Sequence, residues 1–272
     1  MKRIKNYIIL YLLIFLIVFQ ISGCGTRSLV EPNPLITDKE IIVSAAASLQ
    51  ESLNEINHNY NETRSGVKVI INYGSSGTLQ NQIAQGAPVD LFISAGISQM
   101  DWLESKNLLL KDTRLDLLGN DLVLVTAKDS IDNTIITSLS DLNKPEVKQI
   151  GVGTPETVPA GKYTQEALTN LGYWDSLKPK FVFAKDVKQV LAYVETGNVD
   201  AGFVYLSDSK ASEKVDVLIN LPENSHEPII YPAAIIADTN NREAAEEFLE
   251  YLQTSEAKQI FTKYGFKTLS QN

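Results

Sequence analysis

Hydroxyl and backbone donors gather at four short segments where an apolar strand hands over to an amphipathic stretch. They are Ile41-Ile42-Val43-Ser44-Ala45-Ala46-Ala47-Ser48-Leu49, Asn72-Tyr73-Gly74-Ser75-Ser76-Gly77-Thr78-Leu79, Val158-Pro159-Ala160-Gly161-Lys162-Tyr163 and Ala184-Lys185-Asp186-Val187. The first turn of a helix leaves N–H groups without acceptors and carries the positive end of the dipole, so such a junction can hold an anion. Few cations stand among these residues. The chemistry they offer is recognition, with neutral donors gripping a small dehydrated oxyanion.

The elements that must position them follow from periodicity. Ile41-Ile42-Val43 reads as a buried strand, and Leu49, Leu53, Ile56 and Tyr60 follow at helical spacing. Val67, Val69 and Ile71 alternate as a second strand; Leu79, Ile83 and Ala84 begin a helix that Gly86 ends. Asp90–Ser94 is a third strand, and Trp102, Leu103 and Leu108 mark the helix after it. A second set repeats the order: a strand at Gln149–Gly153, a helix from Lys162 to Gly172, a strand at Phe181–Phe183, a helix through Val187–Val194, and a strand at Ala201–Tyr205. Helices through 241–254 and around Ile260, Phe261 and Tyr264 close the chain. Strand–helix alternation predicts an α/β protein with parallel sheets and helices on both faces. Two apolar connections, Leu118–Val125 and Ile229–Ile236, flank the second set. The expectation is two doubly wound sheets joined by two extended crossings, with lobe I built from 40–119 and 230–272 and lobe II from 120–229. A cleft between such lobes favours a ligand.

The chain opens with Lys2, Arg3 and Lys5, an apolar run from Tyr7 to Phe19, and Gln20-Ile21-Ser22-Gly23-Cys24. This is the pattern of a secretory signal peptide over 1–23. The run is also borderline for an uncleaved membrane anchor. Cys24 is the single cysteine, which excludes an internal disulfide and a cysteine zinc site. Residues 24–39 hold Pro32 and Pro34 and read as a polar tether. The formal charge of the whole chain is −9, and −12 once the three cations of the leader are removed. That balance argues against nucleic acid and against adhesion to anionic lipid. It leaves anion capture open, because exposed carboxylates are screened beyond about 8 Å while donors in a cleft act at contact.

Several of these stretches also carry a likeness to a known family. They are Ala45–Leu49, Ser75–Leu79, Gly86-Ala87-Pro88-Val89-Asp90-Leu91-Phe92-Ile93-Ser94-Ala95, Leu117–Asn120, Val158–Tyr163, Asp186-Val187, Ile260-Phe261 and Tyr264-Gly265-Phe266. In that order and spacing the chain resembles the molybdate-binding subunit of bacterial ABC importers, in lipoprotein form. The resemblance implies a two-lobed type II periplasmic-binding-protein fold and a monomeric receptor that is not an enzyme and needs no cofactor. It would take molybdate or tungstate as its ligand and deliver it to an ABC permease with its ATPase subunit. Ser48 and Ser76 would each give a hydroxyl and an N–H, Ala160 and Val187 a backbone N–H each, and Tyr205 its phenol. Apart from the molybdate itself, held at these residues, no metal is implied. Ser22-Gly23-Cys24 is similar to a lipobox, which implies a lipidated Cys24 on the outer face of the plasma membrane. One departure stands out: many relatives place a further Ser where this chain has Gly77, which leaves Ser75 and Ser76 as rivals for the ligand, Ser76 being favoured.

Plainer roles compete with these. Ser48 would serve as a helix cap, Gly74–Gly77 as a turn, Ala160 and Val187 as ordinary helix starts, and Tyr205 as a packed aromatic. Asp90, Asp186 and Asp200 show no paired spacing for acid–base work and are expected to cap helices or accept from backbone. Lys162 and Lys185 are expected to face solvent. The alternative functions are a receptor for another oxyanion such as sulfate, and, less favoured, an enzyme or sensor module on the same fold.

Overall fold

The computed structural model describes residues 39–64, 66–130 and 132–269, so the leader, most of the tether and Cys24 lie outside it. The strands are β1 (Lys39–Ala46), β2 (Val67–Gly74), β3 (Leu91–Ile93), β4 (Leu115–Gly119), β5 (Leu122–Ala127), β6 (Ile150–Gly153), β7 (Phe181–Ala184), β8 (Ala201–Tyr205), β9 (Val215–Asn220), β10 (Ile230–Ile235) and β11 (Lys267–Thr268). The main helices are α1 (Gln50–Thr63), α2 (Ser76–Ala84), α3 (Ile97–Ser105), α4 (Pro159–Asn170), α5 (Val187–Glu195), α6 (Leu206–Lys210), α7 (Arg242–Tyr251) and α8 (Ser255–Lys263). A six-stranded sheet runs β11-β4-β10-β3-β1-β2, and a five-stranded sheet runs β7-β6-β8-β5-β9.

Parallel pairing holds where strand–helix alternation requires it. β1 lies parallel to β2 and β3, with Val43 opposite Ile71 on one side and Leu91 on the other. β6 lies parallel to β7 and β8. The connecting strands break the all-parallel expectation. β10 runs antiparallel to β3 and β4, and β5 runs antiparallel to β8 and β9. A strand that leaves one sheet for the other has no helix to reverse it, so it pairs head to tail. The register of β10 against β4 slips between Tyr231 and Pro232. Proline has no N–H for the ladder, and a bulge is where an inner strand tolerates it.

The two crossings lie side by side. The N–H of Asn120 donates to Ile229 O at 3.2 Å, and that of Leu221 donates to Leu122 O at 2.9 Å. Helix α3 stops before Leu108, because Asn107 takes a left-handed conformation (φ 58°). Asp90, Asp186 and Asp200 all serve backbone: they accept from the N–H of Ile42 at 2.7 Å, Gln189 at 2.8 Å and Gln149 at 2.8 Å. These contacts pin strand starts and a helix cap.

Candidate functional site

The carboxyl ends of strands from both sheets meet at one buried cavity. On the six-stranded side, β1 runs out at Ala46, and Ala47–Leu49 form a 3-10 turn that leads into α1. Ser48 is buried in that turn. β2 ends at Gly74, where Ser75 caps α2. Its oxygen accepts from Thr78 N–H at 3.4 Å, and its hydroxyl donates to Thr78 Oγ1 at 2.8 Å. The adjacent Ser76 opens the helix, and its oxygen accepts from Ala95 N–H at 2.9 Å. The hydroxyl of Ser75 is therefore spent on its own helix, whereas the hydrogen of Ser76 is left for another acceptor.

The five-stranded side supplies the complement. Pro159 occupies the first position of α4, a place that needs no N–H, and Ala160 follows in the unsatisfied first turn. The helix presses hard on β6, since a Cβ on Gly161 would lie 1.9 Å from Gly153 O. Asp186 caps α5 through Gln189 N–H, which leaves the N–H of Val187 in the first turn without an intrahelical acceptor. Tyr205 ends β8, fully buried, and its phenol donates to Ala95 O at 3.5 Å across the cavity. Burial pushes that phenol well above its ordinary pKa, so it stays a protonated donor.

Ser48, Ser76, Ala160, Val187 and Tyr205 all line this cavity, together with Ala46, Ala47, Gly74, Ser75, Ala95, Val158, Pro159 and Asp186. Its empty space is about 210 Å³, counting the part open at the mouth. Among the described residues that line it there is no Lys, Arg or His. Lys162 and Lys185 are exposed, as expected of them. The rims touch directly: Gly77 N–H donates to Thr157 O at 3.0 Å. A Cβ on residue 77 would lie 2.6 Å from that oxygen, so glycine here permits a backbone approach that a serine would obstruct.

Beside the cavity a charged cluster bridges the same two sides. Lys188 Nζ lies 2.5 Å from Glu51 Oε2 and 3.3 Å from Asp208 Oδ1. Burial pulls the Lys188 pKa down, but Asp208 and Glu51 outweigh it and the net direction is up. Burial pushes the Asp208 carboxyl up, against the pull of Lys188. Sequence reading passed over this cluster, because its members are far apart along the chain and none carries a motif. It also passed over Tyr231, whose hydroxyl sits 2.9 Å from Ser48 Oγ but whose neighbours read as a plain apolar crossing.

Comparison with known proteins fits this geometry. Residues 41–267 match the bacterial extracellular solute-binding protein family. The molybdate-binding protein ModA of Escherichia coli is 40% identical over 247 residues, covering 90% of this chain and 95% of its own. A Bacillus subtilis chain provisionally named an ABC transporter substrate-binding lipoprotein, YvgL, is 45% identical over 250 residues, covering 90% of this chain and 92% of its own. The solved periplasmic molybdate-binding protein of Azotobacter vinelandii superposes with a TM-score of 0.76 at 27% identity, covering 85% of this chain and all of the other. With its two-sheet architecture, its cavity at the strand ends and a match across nearly the whole described chain, the protein belongs to the bacterial extracellular solute-binding protein family.

Proposed function

We propose that this protein captures molybdate, and tungstate at the same site, and hands it to an ABC permease. The observation that carries the reading is the convergence of five residues from separate junctions on one buried, cation-free cavity. Ser48 and Ser76 offer hydroxyl and N–H, Ala160 and Val187 offer N–H, and Tyr205 offers its phenol, whose long 3.5 Å contact to Ala95 O a ligand oxygen would replace. A buried dianion without partners is costly. Charge-assisted hydrogen bonds are about twice as strong as neutral ones, so a sufficient set of fixed donors replaces hydration without a countercharge. Donors of fixed direction also sort ions by size, because a smaller sulfate would leave some of them unpaired.

On this reading 40–119 with 230–272 form one lobe and 120–229 the other, and the crossings are the hinge about which they close. The segregation of the two sheets to those segments supports that division. On this reading the protein binds and releases without bond-making, which its membership of a solute-binding family supports. Cys24 is its lipid anchor after removal of 1–23, and 24–39 the tether; the lipoprotein name of the Bacillus subtilis relative supports this. The test is thermal melting with each oxyanion. Molybdate and tungstate should raise the melting temperature with ligand excess, as mass action requires. Sulfate at equal concentration should do little, and equal shifts would defeat the assignment.

A further inference from the structure

One hydroxyl close to the cavity has no role in the reading above. Tyr231 is fully buried on β10, at the bulge before Pro232, and its phenol oxygen lies 2.9 Å from Ser48 Oγ. Behind it stands Asn120, in the other crossing. Asn120 Oδ1 accepts from Asp121 N–H at 2.9 Å, which fixes which end of the amide is which. Its Nδ2 then donates to Ser207 Oγ at 2.9 Å and to Tyr231 OH at 3.1 Å. By geometry the Tyr231–Ser48 contact can run in either sense; we take the sense in which the phenol, already accepting from Asn120, gives its own hydrogen to Ser48. The Ser48 oxygen is thereby filled, and its hydrogen is left for the cavity. Ala95 N–H does the same for Ser76 in a single step.

We propose that Tyr231, oriented by Asn120, is a positioning residue that commits the Ser48 hydroxyl to donating toward the ligand. The proposal rests on the oxyanion reading of the cavity. A hydroxyl that rotates freely donates to an anion only after giving up its other orientations; one whose oxygen already accepts a buried hydrogen bond is preset. Burial holds the Tyr231 phenol well above its ordinary pKa, so the phenol keeps the hydrogen that the relay needs. Because Asn120 and Tyr231 sit in the two crossings, the relay is complete only when these strands hold the register seen here. Donor placement at Ser48 is thereby tied to the segment about which the molecule would bend.

The experiment is a double-mutant cycle on full-chain protein, read as the molybdate dissociation constant by titration calorimetry. Tyr231→Phe should weaken binding about ten- to a hundredfold, the range for losing a hydrogen bond that supports a charged acceptor. In a Ser48→Ala background the same change should cost less than about threefold, because the relay no longer has a terminus. A role in packing alone would cost the same in both backgrounds, and that additivity would overturn the proposal. Asn120→Ala provides an independent arm. It removes the donor that orients the phenol without adding charge, and should likewise weaken binding only when Ser48 is present; this arm carries the test if Tyr231→Phe lowers the unliganded melting temperature. Absence of molybdate binding by the unaltered protein would defeat the functional reading itself. Unaltered binding with additive losses would defeat only the relay.

Discussion

At Ser76 the hydroxyl oxygen accepts from Ala95 N–H, and the residue lines the cavity, so its hydrogen is free to serve a ligand there. Ser76→Ala therefore removes a proposed ligand donor and orphans a buried N–H. Molybdate affinity should fall by about 1–3 kcal/mol, measured by titration calorimetry, and an unchanged affinity would remove Ser76 from the site. Gly77 tests the approach of the two rims. Gly77→Ala puts a methyl 2.6 Å from the Thr157 carbonyl, a backbone atom that side-chain rotation cannot move aside. Affinity should fall at least about tenfold, because the two rims can no longer meet as they do here. Undiminished affinity would mean that this contact is dispensable to the bound state. The sequence displayed the residue types at these positions but not their partners. Ser75 and Ser76 were indistinguishable by type, and only the structure separates the one that caps its helix from the one that accepts from Ala95. Tyr231 lay hidden for another reason, since a lone tyrosine in an apolar run gives no sign of what its hydroxyl will meet.

The helices and strands were legible because their apolar periods are strong and their stops are marked. Glycines at 86, 172 and 197 have φ of 85°, 79° and 67°, the conformations that end helices. The direction of β5 and β10 was not legible, because alternation reveals that a strand exists and says nothing of which way its neighbour runs. Leu108 looked helical by spacing and fell outside α3 once Asn107 turned the chain. The tightest joint between elements lies where α4 meets β6. Gly161→Ala would place a carbon 1.9 Å from Gly153 O, forcing the first turn of α4 off the strand. The change should destabilise the protein by about 3 kcal/mol and lower its melting temperature by roughly 6–12 °C. An unshifted melting curve would show that α4 can slide without loss.

Across the whole molecule, net negative charge and anion capture coexist because they act at different ranges. The surface charge is screened within about 8 Å, whereas the cavity acts through contacts of hydrogen-bond length. Charge does enter at the rim, where Lys188 ties Glu51 to Asp208 beside the site. These two ion pairs tie α5 to α1 and α6 beside the cavity. The proposed membrane attachment falls on the chain outside the described residues. Cys24→Ser should release the protein from membranes into the soluble fraction, read by detergent phase partition, and continued membrane association would favour an uncleaved apolar anchor. Calorimetric titration of the unaltered protein with molybdate tests the central claim most directly. The expected result is one saturable site per chain that sulfate at the same concentration does not occupy. No binding, or equal binding of the two ions, would contradict it.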